Sequence, residues 1–294
     1  MIEQFENYIL KEKRCSPHTL TAYSNDVRTF CEFASLSPLT KENINEVNHQ
    51  LIRSWMVELI DSGVSNRSVN RKLSTLRTFF KWLEANNYIS TNPMAKVKGP
   101  KTTKRLPEFV QEGDLKIEKL NEFFTDDFAG VRDRLLFEIL YQTGIRLSEC
   151  IGLKESDIGN GRIKVLGKRN KERIISISPL LETELKEMIH AKLTMDFDSN
   201  YLFVTDKGEK MYPKFVYRKI NNYLSRVTSL KKQSPHVLRH TFATHLLNGG
   251  VDIEVLKEIL GHSNLAATQV YTHNSFAKIN EIYKSAHPRE RKAE

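Results

Sequence analysis

Between His236 and Tyr271 the chain sets two histidines, an arginine and a tyrosine at fixed intervals among apolar helical segments. The runs are Pro235-His236-Val237-Leu238-Arg239-His240, then Gly261-His262, then Val270-Tyr271-Thr272-His273. Ser234-Pro235 precedes an apolar-periodic stretch (Val237, Leu238, Phe242, Leu246, Leu247), which predicts a helix start. His236 and Arg239 then fall on one face of a first turn. Asn248-Gly249-Gly250 closes that helix, and a second helix from Ile253 to Leu260 ends at Gly261. Each of these side chains therefore lies at a helix terminus. Helix starts present free N–H groups and the positive end of a dipole, so arginine and histidine added there make a receptor for an anion such as phosphate.

A second fragment supplies another cation. Leu135, Leu136, Ile139 and Leu140 form an apolar helical stripe, and Thr143-Gly144-Ile145-Arg146-Leu147-Ser148-Glu149 follows with Gly144 as the breaker. An arginine beside a glycine turn between two apolar elements is costly unless an anion or carboxylate meets it, which makes Arg146 a ligand candidate. Blander roles exist for each residue. His236 and His240 have the i, i+4 spacing of half a zinc site, but Val237 stands where a zincin has its glutamate and no cysteine cluster completes the set, so no metal is expected. A single arginine is most often an ion-pair residue, and a single tyrosine a packing residue. Two arginines in company with two histidines reverse that preference, whereas Tyr271 alone stays a packing residue, and only a family resemblance lifts its position nine residues after His262 above that. His240, His245 and His273 are read as structural.

Together, Arg146, His236-x-x-Arg239, Gly261-His262 and Tyr271 resemble the active-site set of the tyrosine site-specific recombinases, the phage integrase family. The wording around them, Thr143-Gly144-Ile145-Arg146, Leu238-Arg239-His240-Thr241-Phe242-Ala243-Thr244-His245 and Leu260-Gly261-His262-Ser263, is similar to the Xer-like branch. The resemblance runs from the N-terminus to about Tyr283, and the separated motifs in order make it specific. It implies a mainly α fold with a small β-hairpin or sheet in the second of two domains, arranged as a C-shaped clamp on DNA.

Composition agrees with a DNA enzyme. The 294 residues are enough for two cores, and 45 basic against 36 acidic residues, a formal net charge of +9, favour a polyanionic partner. Cys15, Cys31 and Cys150 are odd in number and lack metal or redox spacing, so reduced thiols in a cytoplasmic protein are expected. The opening Met1-Ile2-Glu3-Gln4 does not read as a secretory signal, and no stretch approaches the roughly 20 apolar residues of a membrane span, so no membrane partner is expected.

The elements that must position these residues fall into two halves. Residues 1–95 read as helices: Ser16-Pro17-His18-Thr19 starts one bearing Tyr23, Val27, Phe30 and Phe33, Leu51 to Ile60 forms another, and Ser65-Asn66-Arg67-Ser68 opens a third bearing Val69, Leu73, Leu76, Phe79, Phe80 and Leu83. Arg67, Ser68, Asn70, Arg71, Lys72, Ser74 and Arg77 line the opposite face of that third helix. This face is cationic with little acidic compensation along the helix, and we read it as a phosphate-contact face, similar to the DNA-facing helix of the family's SAM-like core-binding domain. Residues 96–107 read as a basic linker: prolines 93, 100 and 107 and Gly99 accompany Lys96, Lys98, Lys101, Lys104 and Arg105, as expected of an extended segment over a polyanion, or of a flexible tether. Residues 108–294 form the expected catalytic domain with a C-terminal docking helix.

In that second half, Arg162-Ile163-Lys164-Val165-Leu166 and Arg173-Ile174-Ile175-Ser176-Ile177 flank Gly167-Lys168-Arg169-Asn170-Lys171-Glu172, which predicts a hairpin with an exposed turn. The family resemblance implies a catalytic lysine on this turn after the glycine, hence Lys168, with Lys171 the weaker candidate because Arg169 stands where many relatives have a small residue.

The expected function is that of a recombinase that cuts and rejoins DNA through a 3′-phosphotyrosyl link and a Holliday junction. Tyr271 is the nucleophile, His236 its base, Arg146 and Arg239 hold non-bridging oxygens, His262 donates to the transition state and Lys168 protonates the leaving 5′-oxygen. Side-chain cations and the energy-conserving ester make metal, ATP and cofactors unnecessary. Phe276, Ile279, Ile282 and Tyr283 recur at helical spacing, which suits docking on the chain's own domain, whereas the family resemblance implies docking on a neighbour in a homo- or hetero-tetramer on two paired duplexes. Further implied partners are double-stranded DNA, a second Xer-like recombinase and a DNA translocase. Many integrases of the family carry an extra arm-binding domain before the core-binding one, whereas here the first helix begins almost at Met1, so the preferred expectation is a Xer-like role in resolution of chromosome or plasmid multimers at chromosome partition in the cell cycle. Alternatives are a phage or mobile-element integrase, a type IB topoisomerase-like enzyme and a catalytically idle DNA-binding module.

Overall fold

The computed structural model describes residues 1–102, 108–167, 172–261, 283 and 285–290, with Leu120 described by its backbone alone. The chain divides into two compact units, Met1–Arg105 and Leu106–Glu294.

The first unit is helical. Its elements are α1 (Ile2–Asn7), which runs into a π-helical turn, α2 (Pro17–Phe33), α3 (Lys41–Asn45), α4 (His49–Asp61) and α5 (Asn66–Ala85). The starts follow the side-chain chemistry. Ser16 accepts from the amide of Thr19 with Pro17 at the first helical position, Asn48 accepts from the amides of Gln50 and Leu51, and Ser65 accepts from that of Ser68. The expected stripe of α5, Val69, Leu73, Leu76, Phe79, Phe80 and Leu83, is fully buried. It packs against Phe30 of α2 and Trp55 of α4, whose rings meet edge to face at 5.3 Å. Phe33, expected in the stripe of α2, is exposed because it is the last residue of that helix.

The second unit holds α6 (Ile117–Asn121), α7 (Phe128–Thr143), α8 (Leu147–Gly152), strands β1 (Ile158–Gly159), β2 (Arg162–Leu166) and β3 (Glu172–Ser176), α9 (Pro179–Thr194), α10 (Pro213–Val227), α11 (Pro235–Asn248) and α12 (Ile253–Ile259). The strands form one antiparallel sheet in the order β1-β2-β3, with Ile163 opposite Ile175 and Val165 opposite Arg173. The expected hairpin is therefore present, with a two-residue strand added. Helix α7 is buried on nearly every side, as expected of a central helix. Its charged residue Arg132 is wholly enclosed and donates to Asp133 at 2.7 Å and Asp206 at 2.5 Å.

The C-terminal residues Tyr283, Ala286 and His287 are buried within this same unit, where the Tyr283 hydroxyl donates to the carbonyl of Gln142 at 3.0 Å and Arg289 pairs with Glu138 at 2.7 Å. They pack on their own domain. Phe276, Ile279 and Ile282 lie outside the described residues. No helix among the described residues is long and apolar enough to cross a membrane.

Candidate active site

Helix α7 stops at Gly144, whose φ of +58° is left-handed and whose amide reaches back to the Leu140 carbonyl at 3.2 Å. A Cβ here would come within 2.3 Å of the Phe242 ring, so glycine is required by both backbone and packing. Two residues on, Arg146 occupies the N-cap of α8. Its amide donates to Glu149 Oε2 at 2.8 Å, its Nη1 to Glu149 Oε1 at 2.8 Å and its Nη2 to the Gly261 carbonyl at 3.2 Å.

Pro235 opens α11 as expected, and one turn in Arg239 points back to the same place. Its Nη1 donates to the Gly144 carbonyl and its Nη2 to the Leu260 carbonyl at 2.8 Å. Arg146 and Arg239, remote in sequence, thus meet at the end of α12. Burial, then the charge of Arg146, lower the Arg239 guanidinium to about 10, which still leaves it protonated at neutral pH. His236 is exposed on the first turn of α11, one turn before Arg239.

Two residues given no role above complete the cluster. Arg173 of β3 donates to Glu149 through Nη1 at 3.1 Å and Nη2 at 2.8 Å, and to the Ile259 carbonyl through Nε at 3.2 Å. Burial alone would raise the Glu149 carboxyl, but bonds from Arg173 and from the Arg146 amide and guanidinium overcome it and hold the group down at about 2. Both had a signal in the sequence. Glu149 stands three residues after a helix cap, and Arg173 takes a strand position whose partner, Val165, points inward. Lys168, with its weaker alternative Lys171, His262 and Tyr271 all lie outside the described residues.

The candidate DNA-contact residues of the first unit separate into four groups. Arg71 donates to both carboxylate oxygens of Asp26 at 2.5 and 2.8 Å, and Lys72 joins it at 3.0 Å. The acidic compensation missing along α5 is therefore supplied by α2. Asn70 donates to the Pro100 carbonyl at 2.8 Å and Arg77 to that of Val97 at 3.2 Å, while Arg53 and Asn66 take the carbonyls of Lys96 and Lys101. Ser68 belongs with Ser65 in the cap. Arg67, Ser74, Lys96, Lys98 and Lys101 are exposed. Residues 96–101 are thus bolted along α5 by their carbonyls, with their lysines facing outward, and a Cβ on Gly99 would overlap the Asn70 side chain at 1.8 Å. Lys104 and Arg105 lie outside the described residues.

Comparison with known proteins gives two family matches, the phage integrase family over residues 114–278 and the phage integrase N-terminal SAM-like domain over residues 2–87. The tyrosine recombinase XerC of Thermodesulfovibrio yellowstonii is 38% identical over 98% of this chain and 96% of its own, and that of Staphylococcus aureus is 36% identical over 99% and 97%. Among solved structures, XerH site-specific recombinase bound to difH substrate superposes with a TM-score of 0.69 at 22% identity, covering 96% of this chain and 84% of its own. A lambda integrase dimer bound to a core site gives 0.67 at 20% identity, covering 92% and 98%. At such identities the two structures establish the fold.

Proposed function

From the membership of this chain in the phage integrase family, as a tyrosine recombinase that breaks and rejoins DNA at specific sites, we propose that its reaction runs through Tyr271 with Arg146 and Arg239 as the phosphate clamp. The observation that carries this reading is the convergence of the two guanidiniums on adjacent carbonyls, Leu260 and Gly261, immediately before His262. Two permanently charged, planar guanidiniums brought together at the end of α12 supply the charge and the geometry suited to non-bridging phosphate oxygens. A free tyrosine titrates near 10, so ionising it at pH 7 costs about 4 kcal/mol at 1.36 kcal/mol per unit, and a base together with nearby cations must offset this. His236, exposed at the positive end of α11, is the base in this reading. Tyr271 then forms the O–P bond as the bond to the 5′-oxygen breaks, His262 donates to the transition state, and Lys168 gives the leaving oxygen its proton. The 3′-phosphotyrosyl ester keeps the energy of the broken bond for religation, so the cycle closes without ATP.

The two units divide the work in this reading: residues 1–95 bind the core of the site, the segment 96–107 follows the backbone, and 108–294 cut. The likeness to proteins named XerC supports a role in resolving chromosome or plasmid multimers, in the cytoplasm, by four protomers on two duplexes, with a second recombinase and a DNA translocase as candidate partners.

The test uses a nicked suicide duplex carrying a site that the protein recovers from a random oligonucleotide pool. Wild type should trap a covalent protein–DNA adduct on a denaturing gel. Tyr271→Phe, which deletes the attacking oxygen, should trap none while binding the site nearly as well. An adduct formed by the Phe variant would overturn the assignment and turn attention to Tyr283.

A further inference from the structure

Ile259, Leu260 and Gly261 form the exit of α12, where carbonyl oxygens lose their intrahelical partners. Each accepts from a different arginine: Ile259 from Arg173 at 3.2 Å, Leu260 from Arg239 at 2.8 Å and Gly261 from Arg146 at 3.2 Å. Three guanidiniums and one carboxylate, Glu149, are thus tied to a single helix end.

Arg173 differs from the other two in what its fork faces. Its Nε, Nη1 and Nη2 all donate to protein, the first to Ile259 and the other two to the two oxygens of Glu149, with the side chain only 15% exposed. Its planar edges are occupied, so it cannot offer a phosphate the bidentate fork that defines an arginine clamp. It also fixes the identity of its neighbour. A Cβ on Gly261 would stand 3.2 Å from Arg173 Nη1 and 3.3 Å from its Cδ and Cζ, at a residue whose φ is +64°. Arg173 therefore packs its guanidinium over the glycine that ends α12 while gripping the carboxylate that grips Arg146.

We propose that Arg173 is a positioning residue for DNA cleavage: by fixing Glu149 and the end of α12 together, it sets where the Arg146 guanidinium meets the scissile phosphate. This rests on the reaction proposed above. Without Arg173, Glu149 keeps Arg146 as its one guanidinium partner, and the strong bidentate geometry open to that pair would draw Arg146 into the protein and away from DNA. The loss would be of transition-state charge neutralisation, not of site binding.

The experiment compares full-length wild type, Arg173→Gln and Arg173→Lys on the suicide duplex, following adduct formation at saturating protein, site affinity and thermal unfolding. Both variants should cleave at least about tenfold more slowly, a change in the chemical step, while affinity stays within about twofold. A second duplex carries a methylphosphonate at the scissile position. Replacing a charged oxygen by methyl removes the charge that Arg146 neutralises, so the deficit of the variants should shrink to within about threefold of wild type. A purely structural prop would show the same deficit on both duplexes. Should Arg173→Gln unfold at the assay temperature, Arg173→Lys, which keeps the charge on a single donor nitrogen, carries the same comparison. Cleavage of the natural phosphate at the wild-type rate, or a deficit undiminished on methylphosphonate, would overturn the inference alone. A wild type that forms no adduct on either duplex would overturn the reaction and the inference together.

Discussion

Asp26 in the first unit and Glu149 in the second are both buried carboxylates that gather cations, and their surroundings set those cations to opposite ends. Around Asp26, the Arg71 guanidinium is raised above its ordinary value, first through its bond to Asp26, and its side chain is still 50% exposed. Around Glu149, Arg239 is lowered to about 10, because burial, then the charge of Arg146, disfavour its cation. One cluster ties Arg71, in bidentate contact, and Lys72 to the same carboxylate. The other gathers Arg146, Arg173 and Arg239 around the Glu149 carboxylate and the end of α12. In each cluster the surroundings of one arginine, a bound carboxylate for Arg71 and burial beside a like charge for Arg239, set the direction of its shift.

The largest effect that would break this contrast is expected at Arg239. Arg239→Ala should slow the cleavage step by on the order of 3 kcal/mol or more, over 100-fold, as for loss of one preorganised donor to developing charge. Arg239→Lys should recover little, since a point charge does not reproduce a fork. Measured on a duplex with sulfur in place of the bridging 5′-oxygen, Arg239→Ala should remain slow. Lys168→Ala should recover there, because a thiolate leaves without needing the proton assigned to Lys168. Equal recovery of both variants, or rescue of Lys171→Ala in their place, would dissolve the division of roles.

Much of this was legible in the sequence, and what was not shares one cause. The stripe of α5, the caps at Ser16 and Ser65, the Gly144 stop before Arg146 and the Pro235 start before Arg239 are local patterns with fixed periods or fixed turn chemistry. The pairings of Asp26 with Arg71 and of Glu149 with Arg173 join residues far apart in the chain, and charge alone does not say which partner it will find. That is why the polar face of α5 reads as uncompensated until α2 is packed on it. It is also why Arg173, on an inward-facing strand position, reads as an ordinary strand residue until the end of α12 arrives. Residues 96–107 read as an extended segment over a polyanion or as a flexible tether, and the fixing of 96–101 was not legible because the donors that hold their carbonyls sit on α4 and α5.

Acid should separate the two clusters next. The Glu149 carboxyl titrates at about 2 in the folded chain against an ordinary 4.5, and its side chain is 5% exposed. A depressed carboxyl stabilises the fold fully above its unfolded value, and that stabilisation fades as pH falls through the folded one. Glu149 should therefore contribute about 3 kcal/mol to the second unit at neutral pH, lost progressively between pH 4.5 and about 2. Urea unfolding of wild type and Glu149→Gln across that range checks it. The variant should be less stable at pH 7 and show a flatter acid limb, and parallel curves would remove the assigned ion-pair role.

In the first unit the matching change is Asp26→Asn. Because Arg71 is half exposed and can turn to water, the cost should fall below the 3–5 kcal/mol of a fully enclosed pair, to about 2 kcal/mol in unfolding free energy. The freed Arg71 and Lys72 should at the same time become available to phosphate, so binding of the selected site should acquire a steeper salt dependence. A variant that is destabilised with an unchanged salt slope would mean that these two residues face protein alone.

The smallest expected effect belongs to the strap. Lys96, Lys98 and Lys101 are exposed while the carbonyls of residues 96, 97, 100 and 101 are held by Arg53, Arg77, Asn70 and Asn66, so the lysines are presented on a backbone already fixed. Each lysine that meets a phosphate should lower the slope of log affinity against log salt by about 0.9 when changed to alanine, with little change in thermal stability. Arg71→Ala should show the reverse: lower stability through the loss of the Asp26 bond and a slope that hardly moves. Titrations at several salt concentrations, run beside thermal unfolding for the same variants, place each residue on one side or the other. If the strap lysines and Arg71 shift slope and stability alike, the two kinds of cation are not distinct, and the contrast between the Asp26 and Glu149 clusters does not extend beyond the site at the end of α12.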